Sequence, residues 1–144
     1  MPIYSNQVWK AGGIPYVVDP NGVFVCLFKS SDPTYGGAAP QLPKGTPDPN
    51  ETPDETAVRE VSEETGIPLP ALKDHAHFVS KRKFEGQTMD YYFHCYGFPL
   101  PKIIATKRNT EGIGVWLSID DARRTMRRDQ RVFLDDLIKL LQKH

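Results

Sequence analysis

The chain has 144 residues, of which 39% are apolar and 25% charged, so its size and composition fit one globular domain. Its 18 basic and 18 acidic residues cancel, which gives no overall attraction to DNA or to a membrane, and no apolar run is long enough to cross a bilayer. We therefore expect a single domain over residues 1–144, without a DNA or membrane partner. The N-terminal segment has no signal-peptide core, so we expect a cytoplasmic protein, and its oligomeric state is left open.

The first part of the chain is typical of a β-hairpin followed by a long loop. Residues 8–18 form a strand-like run interrupted by Gly12 and Gly13, whose missing side chains permit close backbone approach. A turn at residues 19–22 leads to a second short apolar strand over residues 23–28, and the two strands are expected to pair. Residues 30–50 are rich in Gly and Pro, which is typical of a binding loop or a spacer.

A helix is predicted over residues 53–65. Thr52 is the predicted N-cap, Pro53 occupies the first helical position and Glu55 completes a capping box. Gly66 fits a left-handed C-terminal stop, and the prolines at positions 68 and 70 are expected to block continuation. Ala57, Val58 and Val61 form the apolar stripe that would face a core.

Three carboxylates share one edge of that helix. At about 100° per residue, Glu60 and Glu64 lie about 40° apart, and Glu63 lies about 60° from Glu60 on its other side. Such clustered carboxylates repel one another unless a cation neutralises them. Oxygen ligands suit hard divalent ions, so the pattern predicts a Mg²⁺ or Mn²⁺ site, with Arg59 offsetting one negative charge.

The second half of the chain is predicted to contain a hairpin, a loop, a strand and two helices. The hairpin covers residues 75–84 and 88–98, with its turn at residues 85–87. Residues 99–112 form a loop in which Glu111 is the only acid, and residues 113–117 form the last strand. Ser118 is expected to cap a helix that reaches about Met126. An apolar stripe predicts the final helix; its members are Leu134, Leu137, Ile138 and Leu141.

Period-two alternation assigns the aromatic strand 88–98 one core face and one amphipathic face. The residues expected in the core are Tyr91, Phe93 and Cys95, and those expected to line a cleft are Asp90, Tyr92, His94 and Tyr96. His94 by itself is more typical of a structural residue than of a catalytic one. Cys26 and Cys95 both lie in apolar runs, so we expect buried free thiols rather than a disulfide.

The stretch from Gly45 to Ile67 resembles the Nudix box at every defining position. Gly45 is followed by five residues and Glu51; seven more residues lead to the run from Arg59 to Ile67, which reads REVSEETGI. The resemblance implies an α/β/α sandwich with a mixed β-sheet over most of the chain. It also implies divalent-metal-dependent hydrolysis of a nucleoside diphosphate linked to another group.

The resemblance assigns roles to box residues and leaves some of them open. Glu60 and Glu64 match the principal metal ligands, and the Gly45 carbonyl is a further expected ligand. Glu63 either completes the metal cluster or is oriented by Arg59, and Glu51 either contributes to the site or anchors its loop. The general base differs between family members, so that assignment stays open. The catalytic candidates are Arg59, Glu63, Glu64 and Glu111, and the metal candidates are Gly45, Glu60, Glu63 and Glu64.

Three segments resemble the dinucleoside polyphosphate branch of the family, whose type substrate is diadenosine tetraphosphate. These are the PKG sequence at residues 43–45, which leads into the box, the aromatic strand 88–98 and the segment 114–122. Hydrolases of diphosphoinositol polyphosphates and of RNA 5′ ends have similar entries, and a catalytically silent nucleotide sensor is a further alternative. The expected phosphate contacts are Lys44, Lys81 and Lys83, and the expected base-stacking residues are Tyr35 and Tyr92.

Five arginines near the C-terminus are predicted to form a solvated face, with RNA binding as the alternative. They are Arg123, Arg124, Arg127, Arg128 and Arg131.

Overall fold

A mixed sheet with helices on both faces is formed by residues 8–32, 39–86 and 88–142, which the computed structural model of the chain describes. The strands are β1 Trp9–Asp19, β2 Gly22–Ser30, β3 Lys44–Gly45, β4 His77–Phe84, β5 Tyr91–Pro99 and β6 Gly112–Ser118. The helices are α1 Pro53–Thr65, α2 Leu69–Lys73, α3 Ile119–Thr125 and α4 Arg131–Gln142, with a 3-10 turn at Arg128–Gln130. The predicted α/β/α sandwich with a mixed sheet is confirmed.

The sheet has the strand order β4-β5-β1-β2-β6, and β3 pairs with β1. Strands β1 and β5 are parallel, whereas the other pairs are antiparallel. Strand β2 pairs with β1 only from Tyr16 to Asp19, so the two strands separate towards the N-terminal half of β1. In the resulting fork, β3 pairs with Ala11 and Gly12, and Gln41 bridges to Phe28 of β2.

The fork requires a residue without a side chain on β1. A Cβ atom added to Gly12 would lie 2.1 Å from the Pro43 carbonyl oxygen and 2.7 Å from the Lys44 Cα. Both are backbone atoms, which cannot move aside without disturbing the pairing of β3. The close approach expected at the N-terminal glycines is therefore confirmed, and it brings the segment before α1 against the centre of the sheet.

Two apolar clusters hold the layers together, one on each face of the sheet. One lies against α3 and α4 and contains buried side chains from three strands, including Ile14, Leu27 and Phe93. The other lies under α1 and α2 and contains Val61 and Leu72. The predicted apolar stripes of α1 and of α4 are confirmed, because their residues belong to these two clusters.

Helix α1 begins and ends where its sequence predicts. Thr52 and Glu55 form the capping box, and the Thr52 backbone N–H donates to Glu55 Oε1 at 3.0 Å. At the other end, Gly66 adopts φ 76°, and its N–H donates to the Ser62 carbonyl oxygen at 2.8 Å. The position of every carboxylate on this helix is therefore fixed by local signals at both ends.

The two predicted hairpins and the final strand are confirmed, but two short elements were not predicted. Strand β3 lies in the segment interpreted as loop, because only tertiary pairing with β1 makes two residues a strand. Helix α2 begins directly after Pro68, in the segment where the prolines were expected only to block continuation of α1. Proline is compatible with the first turn of a helix, and Pro68 and Pro70 lie at the start of α2. Gln87, in the predicted hairpin turn, lies outside the described residues.

One face of β5 differs from its prediction. Phe93 and Cys95 belong to the cluster beneath α3 and α4, as expected. The opposite face was expected to line a cleft, yet Tyr92 and Tyr96 pack against the cluster beneath α1, and His94 is only 4% exposed. This face is buried because β5 lies next to the central strand β1, so that helices cover both of its sides.

The arginine-rich segment near the C-terminus makes short-range contacts. Arg123 donates to Asp135 at 2.9 Å, Arg127 donates to Asp129 at 3.3 Å, and Arg124 forms an ion pair with Asp121. These contacts agree with the predicted solvated face.

The two cysteines, Cys26 and Cys95, are buried and free, as predicted. Within the described parts of the chain, none of the helices has the length and apolar character needed to span a bilayer.

Candidate active site

A cavity of about 510 Å³ opens at the fork between β1 and β2. Its lining comes from β1, β2, the segment that carries β3, helix α1 and the loop before β6. The lining residues are Lys10, Phe28, Ser30, Ser31, Asp32, Gln41, Leu42, Lys44, Gly45, Thr46, Glu64, Thr110 and Glu111. The fold therefore brings together residues that are far apart in the sequence, including four of the predicted site residues: Lys44, Gly45, Glu64 and Glu111.

Glu60 and Glu64 face the β3 segment from one side of α1. A Cβ atom added to Gly45 would lie 2.1 Å from the carboxyl carbon of Glu60, so the Gly45 backbone rests directly against that carboxylate. The backbone N–H of Lys44 hydrogen bonds to the Glu64 carboxylate. Strand β3 and helix α1 thus place two carboxylates and a backbone carbonyl in one small region.

The two carboxylates are poorly solvated. Burial, together with the negative charge of Glu60, raises the pKa of Glu64 to about 8 against the opposing effect of the Lys44 ammonium. Burial also raises the pKa of Glu60, although Arg59 opposes that shift. Two adjacent carboxylates with raised pKa values favour a bound cation, which neutralises both.

The residues present fit a divalent metal ion. Glu60, Glu64 and the Gly45 carbonyl form an oxygen-only donor set, the type that Mg²⁺ and Mn²⁺ prefer. Among the described residues, no three His, Cys, Asp or Glu side chains converge in the geometry of a complete metal site. These donors could supply part of a ligand set, since Mg²⁺ commonly completes its shell with water and substrate oxygens.

Arg59 connects the helix to the loop that precedes it. Its guanidinium donates to both oxygens of Glu51, at 2.9 and 3.0 Å, and to the Thr46 carbonyl oxygen at 3.0 Å. It also donates to Glu60 Oε1 at 2.9 Å. Its side chain is 23% exposed, so it is a half-buried connection between helix α1 and the loop that precedes the helix.

The structure answers the open question about Glu51. Its carboxylate accepts from Arg59, from the Thr56 hydroxyl at 2.9 Å and from the Asp48 backbone N–H at 2.8 Å. The hydrogen bond from Arg59, with those from the Asp48 N–H and Thr56, holds its pKa at about 2. A carboxylate with this many donors is an anchor of the loop, which was one of the two expected roles.

Glu63 is separated from the pair formed by Glu60 and Glu64. Its side chain is 60% exposed, and its nearest described ion-pair partner is Arg59, at 3.4 Å. Of the two roles left open for Glu63, this geometry favours orientation by Arg59. A direct role in metal binding stays a prediction.

Two lysines give the cavity positive charge opposite the carboxylates. Burial lowers the pKa of Lys44, and Lys10 lowers it further. Lys10 lies on β1 with its ammonium 4.9 Å from the centre of the Tyr91 ring. Lys10 was not predicted to belong to the site. Its one indication in the sequence is that it directly precedes the small-residue segment at the fork.

Glu111 lines the same cavity from the loop before β6, and its charge contributes to the raised pKa of Glu64. The expected proximity of this loop to the metal-binding helix is therefore present. The residue that creates it, Asn109, was not predicted. Its side chain hydrogen bonds both to the end of α1 and to the backbone of Glu111.

The other predicted substrate contacts lie elsewhere. Lys81 is on the edge strand β4, 4.8 Å from the centre of the Tyr92 ring, and Lys83 forms an ion pair with Asp90 at 3.7 Å. Neither these lysines nor Tyr92 line the cavity. Tyr35 falls outside the described residues. Substrate binding by these four residues stays a prediction.

Comparison with known proteins assigns the family. The model of the NUDIX domain matches residues 10–137, which is most of the chain. The chain therefore belongs to the Nudix family of hydrolases. Over 67 residues it is 39% identical to an uncharacterized Nudix hydrolase, orf19, of Rhodococcus erythropolis, a match that spans 45% of this chain and 36% of that relative.

Solved structures share the fold at low sequence identity. An Ap4A hydrolase of C. elegans in a binary complex superposes with a TM-score of 0.77 at 20% identity, covering 95% of this chain and 99% of that chain. The NUDIX domain of Shewanella oneidensis NrtR, complexed with ADP ribose, superposes with a TM-score of 0.76 at 14% identity, covering 95% and 90% of the respective chains. RenU of M. smegmatis gives a TM-score of 0.73 at 16% identity, covering 94% and 87%.

Proposed function

We propose that this protein is a Mg²⁺- or Mn²⁺-dependent pyrophosphohydrolase that cleaves a dinucleoside polyphosphate such as diadenosine tetraphosphate. The observation that carries the reaction type is a pair of half-buried carboxylates beside β3. Glu60 packs against the Gly45 backbone, and Glu64 lines a cavity that also holds two lysines. Carboxylates for a divalent ion and ammonium groups for phosphate oxygens are the two requirements of phosphoryl transfer to water.

The chain's own residues divide this work between them. Glu60, Glu64 and the Gly45 carbonyl would hold the ion, which supplies charge stabilisation at the phosphoryl group and a water of lowered pKa. Lys44 and Lys10 bind phosphate oxygens on the other side of the cavity. Because burial lowers the pKa of Lys44, its ammonium is weakly solvated and gains more from an anionic partner than an exposed lysine does.

Two acidic residues remain for the proton transfers and for orientation. Glu111 lines the cavity next to Glu64, which makes it our candidate for accepting a proton from the attacking water. Glu63 and Arg59 then act as an orienting pair at the outer edge of α1, where Arg59 also holds Glu60 at 2.9 Å.

The substrate class follows from the segments that resemble the dinucleoside polyphosphate branch, and the likeness to a C. elegans Ap4A hydrolase supports it. Such a substrate has a phosphate chain longer than one pair of lysines can neutralise. We assign Lys81 and Lys83, on the edge strand, to the distal part of that chain. Base stacking on Tyr35 or Tyr92 would contribute roughly 1–3 kcal/mol.

A substrate panel tests the proposal. We would measure kcat/KM at equal Mg²⁺ for diadenosine tetraphosphate, ATP, ADP-ribose, NADH, a diphosphoinositol polyphosphate and a capped RNA, and identify the products. Diadenosine tetraphosphate is expected to give the highest value, and Glu64→Gln to abolish turnover of every substrate. A clear preference for any other compound would reject the substrate class but leave the reaction type in place.

Two alternatives make different predictions in the same panel. An RNA 5′-end hydrolase would prefer the capped RNA and bind it with a strong salt dependence. The contacts of Arg123, Arg124 and Arg127 with neighbouring aspartates argue against this, since paired arginines are less available for phosphates. A catalytically silent sensor would bind a nucleotide without turnover at any Mg²⁺ or Mn²⁺ concentration.

A further inference from the structure

The last turn of α1 is capped by the loop that carries Glu111. The final four carbonyl groups of an α-helix have no partner within the helix. In α1, the carbonyl oxygen of Ser62 accepts from the Gly66 N–H at 2.8 Å, and that of Thr65 accepts from the Lys107 N–H at 2.9 Å. The remaining two, those of Glu63 and Glu64, accept from a side chain in the loop.

That side chain is Asn109. Its Nδ2 lies 2.9 Å from the Glu63 carbonyl oxygen and 3.3 Å from the Glu64 carbonyl oxygen. Its Oδ1 accepts from the Glu111 N–H at 2.8 Å and from the Gly112 N–H at 3.0 Å. Carbonyl groups only accept and backbone N–H groups only donate, so these four partners fix the orientation of the amide.

Glu111 is held from its other side as well. Its carbonyl oxygen accepts from the Ser31 N–H at 2.9 Å, at the end of β2. The turn itself is closed by the Asn109 N–H, which donates to the Gly112 carbonyl oxygen at 2.9 Å. The backbone of Glu111 is thus fixed between β2 and α1, while its side chain is exposed to the cavity.

We propose that Asn109 is a positioning residue, whose side chain sets the distance between the Glu111 carboxylate and the metal-binding carboxylate of Glu64. The inference rests on the proposed function, because it assigns Asn109 an effect on catalysis through Glu111. An asparagine suits this position because one short side chain offers both donors for the helix and an acceptor for the turn. Serine offers an acceptor to the turn but cannot reach the helix carbonyls at the same time.

The kinetic test uses Asn109→Ser, which is neutral and removes the bonds to α1. We expect kcat to fall between about 10- and 100-fold, as for a misplaced catalytic group, with KM and the Mg²⁺ requirement changed less than about 3-fold. Thr106→Val is the matched control. It removes another hydrogen bond of the same loop, to the Gly114 carbonyl oxygen at 2.7 Å, without contacting Glu111, so it should alter stability but not kcat.

A double-mutant cycle separates positioning from a general structural role. If Asn109 acts through Glu111, adding Asn109→Ser to Glu111→Gln should lower kcat no further than Glu111→Gln alone. If the double variant instead showed the product of the two single reductions in kcat, the proposal would be overturned. A wild-type kcat for Asn109→Ser, measured well below its melting temperature, would overturn it as well.

Hydrogen exchange tests the same connection without any substrate. In Asn109→Ala, the amides of Glu111 and Gly112 lose their acceptor and should exchange faster, whereas amides in the middle of α1 should not change. Unchanged exchange at Glu111 and Gly112 would overturn the proposal. If the wild-type protein hydrolysed no compound of the panel, the proposed function would fail, and exchange alone would decide whether Asn109 holds the turn.

Discussion

Arg59 and Glu51 form a two-pronged ion pair, in which Nε and Nη2 of the arginine donate to the two carboxylate oxygens at 2.9 and 3.0 Å. The pair joins helix α1 to the loop between β3 and the helix. It leaves the remaining guanidinium nitrogen, Nη1, directed at Glu60, 2.9 Å away. Anchoring of the loop and placement of the Glu60 carboxylate, a predicted metal ligand, therefore depend on the same side chain.

We predict that Glu51→Gln lowers the free energy of unfolding by about 1–3 kcal/mol, because a half-buried arginine loses a charged partner. Asp48→Asn is the matched control. Asp48 approaches the same guanidinium at 3.2 Å but is 63% exposed, so its loss should cost less than about 1 kcal/mol. Urea denaturation at neutral pH measures both. An equal decrease in the free energy of unfolding for the two variants would show that the geometry of the Arg59–Glu51 pair contributes nothing to stability.

The same pair has a defined pH dependence. The pKa of Glu51 is about 2 in the folded protein, below its ordinary value, so its contribution to stability is present at neutral pH. As pH falls through the acid range towards 2, that contribution is lost. The difference in unfolding free energy between the wild type and Glu51→Gln should therefore shrink with acidification, and a difference independent of pH would contradict the assignment.

We predict that Glu64→Gln lowers kcat by more than about 100-fold, since even residues that only orient metal ligands cost 10–100-fold when replaced. The variant should also lose the rise in melting temperature that Mg²⁺ or Mn²⁺ gives the wild type, and chelation should remove that rise from the wild type. Glu55→Gln, on the same helix, is the control, because glutamine also serves in a capping box. Near wild-type turnover in a folded Glu64→Gln protein would refute the metal assignment.

Replacement of Gly45 or Gly12 by alanine is expected to have different effects, although both glycines are closely packed. In Gly45→Ala the new Cβ meets the end of the Glu60 side chain, which can rotate away, so the protein should fold but bind Mn²⁺ more weakly. In Gly12→Ala the new Cβ meets backbone atoms of the β3 segment, so overpacking should cost about 1–3 kcal/mol or more of stability. Thermal denaturation and Mn²⁺ titration by electron paramagnetic resonance distinguish them. A reversed pattern would contradict the geometry of the fork.

Burial of His94 predicts acid sensitivity. Desolvation lowers the pKa of His94 to about 4, so between pH 6.5 and 4 the unfolded chain binds a proton that the folded chain does not. Stability should therefore fall as pH decreases across this window, by up to roughly 3 kcal/mol from this residue. His94→Phe should flatten that part of the profile in equilibrium unfolding experiments. An unchanged slope would assign the acid sensitivity to other groups.

Much of α1 was predictable because its determinants are local. The capping box, the proline at the first helical position and Gly66 act within a few residues of one another, so the predicted range 53–65 is the observed one. The spacing of Glu60 and Glu64 follows from helix geometry alone. The same holds for the hairpin at residues 19–22, where a turn signal lies between two apolar runs.

The sequence did not reveal that both faces of β5 would be covered, or which residues would meet at the fork. Alternation in β5 separated its two faces correctly, but a strand next to the centre of the sheet is covered on both. Lys10 and Asn109 carried no signal stronger than their neighbours, because their importance comes from partners distant in the chain. Pairing of β3 with β1 depends on the space left by Gly12.

The sequence by itself determined helix α1 and the arrangement of its carboxylates, because in an α-helix the spacing of two residues sets the angle between their side chains. Only the tertiary structure decided what surrounds them. It placed Lys44, Lys10 and Glu111 in the same cavity as Glu64, and it partly buried Glu64, which raises the pKa of that carboxyl to about 8. The physical reason is that the burial of a side chain and the charges around it depend on residues that are distant in the chain. A local sequence pattern does not show which of them will pack together.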